Sequence, residues 1–244
     1  MRLPPLTRAR IIKRYKRFLA DVELENGSIL TVHCPNTGSM QGCYAPGAMV
    51  EISDSNNPRR KLRYTLERVD MGAGWIGVNT SRVNAIVAEA VMDQRIEPLS
   101  AYTKLHREPA FAAEGIDKGR FDLKLSADGR RTCLVEIKNA TLLREGEIQF
   151  PDAVSKRGLK HLHLLEKAAH SGFRACLVFA LNRPESDRFR PAEDIDPDYA
   201  AGLYHALEAG VEVILARLVH GDDAISIERG WQWLVDDNKP QGQD

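Results

Sequence analysis

The stretch from Gly119 to Thr141 constrains the fold most, because it predicts two β-strands joined by a tight turn. Apolar residues alternate with other residues in both halves, and the two apolar rows are Phe121, Leu123, Leu125, Cys133, Val135 and Ile137. Such period-two alternation is typical of strands that bury one face. Asp128-Gly129, between the rows, is a favoured hairpin turn. The stretch therefore predicts a hairpin whose apolar rows face one core.

Charged residues lie on the opposite face of this hairpin. If both apolar rows face one core, Asp122, Glu136 and Lys138 share the other face. A two-residue loop would put Glu136 on the wrong face, whereas a three-residue loop over 128–130 sets Asp122 directly opposite Glu136. Two carboxylates beside a lysine then predict a divalent-metal site, and this prediction requires an odd loop or a bulge.

Metal-assisted cleavage of a phosphodiester is one chemistry that this face could support. Mg²⁺ prefers one or two carboxylates plus waters and substrate oxygens, so Asp122 and Glu136 are candidate ligands for Mg²⁺ or Mn²⁺. Lys138 is the candidate to orient the attacking water or to neutralise charge that develops on the phosphate. An acid on one strand and Glu-x-Lys on the next is the pattern of the PD-(D/E)xK nuclease superfamily. The alternative is a solvated face with cross-strand ion pairs.

Helical patterns flank the hairpin. An apolar stripe predicts a helix from Ser81 to about Arg95, and Glu89 on its flank is either a solvated acid or a third catalytic carboxylate. A second helix is predicted over 155–172, where Arg157 and Lys160 are solvated or contact DNA phosphates. Buried strands follow at 174–182 and 211–219. The order of elements predicts a mixed sheet with helices on its faces, an α+β or α/β architecture.

The bulk composition is that of an ordinary globular protein. The 244 residues are 43% hydrophobic and 28% charged, which suits one large domain or two small ones. No apolar run approaches the ~18 residues that span a bilayer, and the basic N-terminus lacks the apolar core of a secretory signal. The four cysteines form no CxxC pair. We therefore expect a cytoplasmic protein with no membrane partner and no organic cofactor.

Residues 1–80 predict a basic β-barrel. They carry 12 Lys+Arg against 7 Asp+Glu, a net charge of +5, whereas the remaining residues sum to −5. About five short alternating segments fit a small barrel, such as the OB-fold. Two basic clusters near aromatic residues are candidate DNA-binding groups: Arg10, Lys13, Arg14, Lys16, Arg59, Arg60 and Lys61. The alternative is a solvated strand edge protected by its charges.

Two further motifs are weak. His33, Cys34 and Cys43 suggest zinc, but their spacing matches no standard zinc module. The glycines of a GxGxxG pattern at 72–77 follow a strand that alternates, unlike the buried first strand of a dinucleotide-binding fold, and therefore predict a bend between two strands. A change in composition at 78–81 places the domain boundary, which gives an OB-like domain at 1–80 and a second domain at 81–244.

Taken together, six segments resemble the sugar fermentation stimulation protein A family. They are HCPNTGSM (33–40), NPRRKLRYTLE (57–67), WIGVNTSRVN (75–84), RFDLKL (120–125), VEIKNATL (135–142) and FPDAVSKRGLKHL (150–162). The resemblance implies an N-terminal OB-like domain, a C-terminal PD-(D/E)xK nuclease-like domain, and DNA binding without strong sequence preference. It also implies a regulatory role in sugar (maltose) metabolism.

Carried over by position, the resemblance assigns the nuclease triad to Asp122, Glu136 and Lys138. Glu89 sits where the superfamily often has an acid on its first helix, whereas Phe121 replaces the motif's leading proline. Other residues fall in family motifs without an assigned role: Asn139, Thr141, Asp152, Arg157, Lys160 and His161. Two functions remain open, a Mg²⁺- or Mn²⁺-dependent DNA endonuclease or exonuclease and a catalytically silent DNA-binding regulator. A dinucleotide-dependent enzyme ranks last.

Overall fold

Six N-terminal strands form one sheet, and five of them close into a barrel, in the computed structural model, which describes residues 1–112 and 119–234. They are β1 (Leu6–Tyr15), β2 (Leu19–Leu24), β3 (Ile29–His33), β4 (Met49–Asp54), β5 (Tyr64–Asp70) and β6 (Trp75–Gly77). The sheet runs β3-β2-β1-β4-β5-β6, and a parallel pairing of His33 with Thr65 joins β3 to β5. This pairing closes five strands around an apolar interior. The OB-like barrel expected from the sequence is confirmed.

The barrel follows from the alternation along its strands. Ala9 and Ile11 of β1 are buried, while Arg8 and Arg10 between and beside them are exposed. Gly72 and Gly74 lie in the connection between β5 and β6 at φ +104° and +121°, a backbone region that glycine adopts without strain. The GxGxxG pattern therefore forms the bend that was predicted, rather than a phosphate-binding turn.

The strands that follow the barrel are β7 (Lys104–Arg107), β8 (Ala110–Phe111), β9 (Gly119–Arg120), β10 (Leu123–Ser126), β11 (Cys133–Ala140), β12 (Leu142–Arg144), β13 (Glu147–Phe150), β14 (Arg174–Leu181), β15 (Phe189–Pro191), β16 (Glu212–His220) and β17 (Ile225–Gln232). The main sheet that they form is mixed and is ordered β17-β16-β14-β11-β10-β7. Strands β11, β14 and β16 are parallel, and antiparallel neighbours complete both edges.

Three helices cover the two faces of this sheet. Helix α1 (Val83–Met92) packs on one face, and α2 (Lys156–His170) and α3 (Pro197–Glu208) pack on the other. Side-chain oxygens of Ser155 and Asp196 cap the starts of α2 and α3, which satisfies backbone N–H groups that no helical carbonyl reaches. The mixed sheet with flanking helices is confirmed. Each helix within the described ranges is too short or too polar to cross a membrane.

The barrel is joined to the mixed sheet by buried contacts and a very short connection. Arg68 of β5 donates to Glu51 Oε2 at 2.6 Å and, through Nη1, to the carbonyl of Gly221 at 2.6 Å. Only Val78 and Asn79 separate β6 from the 3-10 helix Thr80–Arg82, and both backbone N–H groups donate to the Glu67 carbonyl at 3.1 Å. This seating brings one barrel loop over the end of β11.

Candidate nuclease-like site

The register of the β10–β11 hairpin brings the two predicted carboxylates together. Leu123 pairs with Val135, so Asp122, one residue back, lies level with Glu136. Gly129 at the centre of the connection has φ +71°. This register is the one predicted for a loop with an odd number of residues. The connection is longer than the predicted three residues, however, because β10 ends at Ser126 and β11 begins at Cys133. Lys138 follows two residues after Glu136 on the same face of β11.

Asp122 is held by hydrogen bonds at both carboxylate oxygens. Its Oδ1 accepts from Asn84 Nδ2 at 2.7 Å, and its Oδ2 accepts from the backbone N–H of Ile137 at 2.7 Å. Burial, followed by repulsion from the Glu136 carboxylate, raises the pKa of Asp122. The hydrogen bonds and the Lys138 charge offset only part of that increase. Two acids that raise one another's cost of ionisation are a common arrangement at metal and catalytic sites.

Glu136 is almost fully buried and is tied to two basic groups. Only 4% of its side chain is exposed, and its Oε1 accepts from Lys138 Nζ at 2.6 Å and contacts His161 Nδ1 at short range. Burial alone would raise the pKa of Glu136, but the His161 hydrogen bond and the Lys138 charge outweigh it and lower the pKa. Glu136 is therefore held ionised beside Asp122.

His161 is the site residue for which sequence reasoning found no role. It lies on α2, and its Nε2 accepts from Arg157 Nε at 3.4 Å. Its Nδ1 faces Glu136 Oε1 and also lies 3.2 Å from Lys138 Nζ. The sequence feature that pointed to His161 was its place in the family segment 150–162, next to the core residue Leu162. That signal could not reveal which strand α2 packs on.

Glu89 is the predicted catalytic residue that the structure does not bring to the carboxylate pair. Its side chain is 49% exposed, and its Oε1 accepts from the amino group of Met1 at 2.7 Å. Asn84, near the start of α1, contacts Asp122 instead. Five residues separate the two positions, and that spacing turns Glu89 to another side of the helix.

The carboxylates of the site suit a hard divalent cation that needs few protein ligands. Within residues 1–112 and 119–234 no group of three or more Asp, Glu, His or Cys side chains could hold a metal. Mg²⁺ needs only one or two carboxylates, however, because waters and substrate oxygens complete its shell. Asp122 and Glu136 supply two carboxylates, and each oxygen of Asp122 accepts a single hydrogen bond, which leaves a lone pair. The residues present therefore fit such an ion.

The Cys- and Gly-rich loop of the barrel covers the carboxyl end of β11. We call residues 34–43 the roof loop. Arg14 Nη2 donates to its carbonyls at Asn36 and Gly38, both at 2.8 Å. Asp152 Oδ2 accepts from Ser39 Oγ and from the Met40 N–H, both at 3.1 Å.

The cysteines of the roof loop are buried at its two ends. Cys43 Sγ donates to the Thr141 carbonyl at 3.3 Å, and Cys34 lies in the barrel core. Among the described residues neither thiol belongs to a group that could hold a metal. These cysteines therefore anchor the loop.

The predicted DNA-binding residues differ in how freely their charge faces solvent. Lys13 lies 5.4 Å from the centre of the Tyr15 ring and pairs with Asp21 at 3.4 Å. Arg14 is half-buried, and its guanidinium donates hydrogen bonds to backbone carbonyls, including those of the roof loop. The other predicted positions are exposed: Arg10, Lys16, Arg59, Arg60, Lys61, Arg157 and Lys160.

A buried polar ladder runs behind the site. Asn182 Nδ2 donates to Asn139 Oδ1 at 2.8 Å, and His220 Nε2 meets Asn182 Oδ1 at 2.7 Å. The Nδ1 atom of His220 is buried without a hydrogen-bond partner within the described part of the chain. Burial and then the charge of Arg68 lower the pKa of His220 from 6.5 to about 4.

Acid is therefore expected to destabilise the protein through His220. The unfolded chain takes up this proton near pH 6.5 but the folded chain only near pH 4, so stability falls as the pH drops between them. The full loss is about 3 kcal/mol, at about 1.4 kcal/mol per pKa unit. Urea unfolding at about pH 7 and about pH 4.5 measures it, and His220→Gln should show a smaller loss. Equal losses in both proteins would exclude His220 as the cause.

Comparisons with known proteins give the same result over most of the chain. Family models described as "SfsA N-terminal OB domain" and "Sugar fermentation stimulation protein RE domain" match residues 12–78 and 81–223. A sugar fermentation stimulation protein homolog from Acidithiobacillus ferrooxidans is 46% identical over 228 residues, which cover 93% of this chain and 97% of the relative. A homolog from Pseudoalteromonas atlantica is also 46% identical, with coverages of 92% and 95%. The structure of Pyrococcus furiosus SfsA in complex with Ca²⁺ has a TM-score of 0.83 at 26% identity, with coverages of 94% and 96%. The chain belongs to the sugar fermentation stimulation protein family.

Proposed function

We propose that this protein binds DNA without strong sequence preference and cleaves phosphodiesters at a divalent-metal-dependent site formed by Asp122, Glu136 and Lys138. The observation that carries the proposal is the hairpin register, which sets Asp122 level with Glu136 and leaves Lys138 Nζ 2.6 Å from Glu136 Oε1. The Pyrococcus furiosus relative was solved in complex with Ca²⁺, a hard divalent cation of the same preference for oxygen ligands.

Each residue has a role in this proposal. Asp122 and Glu136 would hold Mg²⁺ or Mn²⁺, which when bound polarises a phosphodiester and acidifies a water. Asn84 and the Ile137 N–H fix the orientation of the Asp122 carboxylate. His161 keeps Glu136 ionised, and Lys138 neutralises charge on the phosphate or orients the attacking water.

DNA binding is assigned to the basic residues of 1–80, with help from Arg157 and Lys160 beside the site. We take residues 1–80 as the OB-like domain and 81–244 as the nuclease-like domain. The group with the least compensation is Arg59, Arg60 and Lys61, since all three are exposed and lack an ion pair among the described residues. Arg60 is also close enough to His33 for its charge, after burial, to lower the His33 pKa.

Removing this group is expected to reduce the salt dependence of binding. For single-stranded DNA each lost phosphate contact flattens the slope of log K against log salt by about 0.7, so the triple alanine variant should lose about 2 units of slope. Anisotropy titrations across salt concentrations measure it. The charge-matched control replaces three arginines already paired with carboxylates, Arg144, Arg188 and Arg190. Equal slopes in both triple variants would count against a DNA surface at 59–61.

A DNA-binding regulator with a silent site is the second candidate, and one observation favours it. The carboxylate of Glu136 is 4% exposed and already bonded to Lys138 and His161, which resembles a sealed ion-pair cluster. Such a cluster would stabilise the sheet end without admitting metal. A regulator of this kind would bind DNA through its basic residues alone.

Purified protein incubated with plasmid or single-stranded DNA separates the two candidates. The nuclease proposal predicts cleavage with Mg²⁺ or Mn²⁺ that a chelator stops, together with heat of Mg²⁺ binding in a calorimetric titration. The regulator predicts salt-sensitive binding with neither. Binding without cleavage or metal uptake would reject the nuclease proposal and leave the regulator.

A further inference from the structure

A cavity of about 240 Å³ lies between the roof loop and the carboxyl end of β11. Its floor carries Lys138 and Asn139, and its wall includes Asn84, whose amide holds Asp122. The opposite side is formed by Asn36 and Gly38 of the roof loop. The cavity therefore opens directly beside the proposed carboxylate site. The inference drawn from it rests on the proposed function.

The lining of this cavity is polar but mostly uncharged. Among the described residues that line it, Lys138 is the one cation and Asp152 the one anion. The largest group in the lining is amide and hydroxyl side chains: Asn36, Thr80, Asn84, Asn139, Thr141 and Gln149. One lysine does not make a pocket for several phosphates, whereas amides and hydroxyls match the donors and acceptors on a base edge and a sugar. The lining thus fits a nucleoside whose adjoining phosphate lies at Lys138.

Asn36 is poised to make such a contact. It is 6% exposed, its Oδ1 accepts from the Gly38 N–H at 2.9 Å, and its carbonyl accepts from Arg14. Asn36 lines the cavity, and its Nδ2 group donates to no residue that the structure describes. An amide donor that has no protein partner and is not sealed from solvent is free to bind water or a ligand.

Size and anchoring exclude an intact duplex. The cavity is smaller than the roughly 300–1,000 Å³ of typical ligand pockets, so it holds about one nucleoside. The roof loop is tied down by Arg14, Asp152 and the Cys43 contact to Thr141. Bases of a duplex are stacked and paired, and taking one out costs a few kcal/mol, which an unpaired strand avoids.

We infer that the cavity receives one unpaired nucleoside, and that the substrate of the site is single-stranded DNA or an unpaired strand end. The roof loop then selects the substrate by size: a flexible single strand can reach Lys138 beneath it, whereas a double helix cannot. Strand preference in this protein is set at the cavity, in addition to the general attraction of the basic barrel surface.

The test measures DNA binding in the presence of a metal chelator, so that its result does not depend on whether the protein cleaves DNA. Labelled probes are a short single-stranded oligonucleotide and a covalently closed duplex of the same sequence, compared by anisotropy at one salt concentration. Wild type should prefer the single strand at least about 10-fold, since the duplex must break a pair to enter. A 2-aminopurine base in the single strand should change its fluorescence on binding as it leaves its stacked neighbours.

Two variants locate the preference. Thr80→Phe fills the cavity and should remove most of the preference, whereas Thr80→Val keeps the side chain's size, loses only the 3.2 Å bond to the Pro35 carbonyl, and should retain it. Asn36→Asp preserves the acceptor for Gly38 and replaces the free donor with a carboxylate, which should weaken single-strand binding about 10-fold.

The outcomes are distinct from those of the cleavage assay. Equal or tighter binding of the closed duplex, or an unchanged preference in folded Thr80→Phe and Asn36→Asp, overturns the inference even if the protein cleaves DNA. A single-strand preference lost in both variants supports it even if no cleavage is found, in which case only the nuclease proposal fails.

Discussion

Lys138→Ala is expected to reduce metal-dependent DNA cleavage by about 10²–10³-fold, the usual cost of removing one charge-stabilising donor from a catalytic site. Lys138 Nζ lies 2.6 Å from Glu136 Oε1, and 14% of its side chain is exposed, toward the cavity beside the site. It is therefore the cation nearest to a phosphate held at the carboxylates. Binding of DNA should change far less, because most of the proposed phosphate contacts lie on the barrel.

The matched control is Lys124→Ala. Lys124 lies on the same hairpin, two residues from Asp122, and its side chain is exposed. It removes the same charge without touching the carboxylate pair. Single-turnover cleavage with Mg²⁺ and Mn²⁺, beside anisotropy titrations for affinity, gives both quantities. Cleavage that persists in Lys138→Ala, or falls equally in Lys124→Ala, would remove Lys138 from the proposed site.

Arg68→Ala is expected to lower the free energy of unfolding by about 3–5 kcal/mol, since it strips the partner from a buried acid. Arg68 is 1% exposed, donates to Glu51 at 2.6 Å, and stacks over the Trp75 ring at 4.7 Å. Its Nη1 and Nη2 groups donate to the carbonyls of Gly221 and Asp222, in the connection between β16 and β17 of the mixed sheet. The substitution therefore leaves the buried Glu51 carboxylate with the exposed Arg8 as its remaining ion-pair partner among the described residues, and it loosens the barrel from the second domain.

Arg8→Ala tests the same acid from its exposed side. Arg8 Nε lies 3.4 Å from Glu51 Oε1, but 64% of its side chain is in solvent, so its removal should cost less than about 1 kcal/mol. Urea unfolding of both variants at neutral pH measures the difference. If Arg68→Ala proved as stable as Arg8→Ala, the buried pair would not contribute as described.

The sequence predicted the architecture because its strands and helices carry strong local patterns. Short alternating segments within residues 1–80 predicted the barrel strands, and the stripe containing Val83, Ile86 and Val87 predicted α1. Short strands such as β8, β12 and β15 were missed, since two or three residues cannot establish a period. The alternation along the hairpin placed Asp122, Glu136 and Lys138 on one face, and the family resemblance then assigned the same three residues.

The rest of the candidate site depends on contacts between distant segments. Asp122 meets Glu136 only if the hairpin loop has an odd number of residues. The sequence allowed both a two-residue and a three-residue loop, because turn residues do not fix where strand pairing stops. Asn84 rather than Glu89 reaches Asp122 because of how α1 is rotated on the sheet, which its own pattern leaves open. His161 meets Glu136 across 25 residues of sequence, and the roof loop meets Asp152 across more than 100.

The two-residue connection at Val78 and Asn79 has a consequence for how weak contacts combine. Two modules on a flexible tether reinforce one another through an effective concentration that falls as the tether lengthens. Here the tether has no slack, since both of its N–H groups are fastened to Glu67. A strand captured by the barrel would therefore meet the carboxylates with little search entropy, and modest affinities at the two places would multiply into avidity.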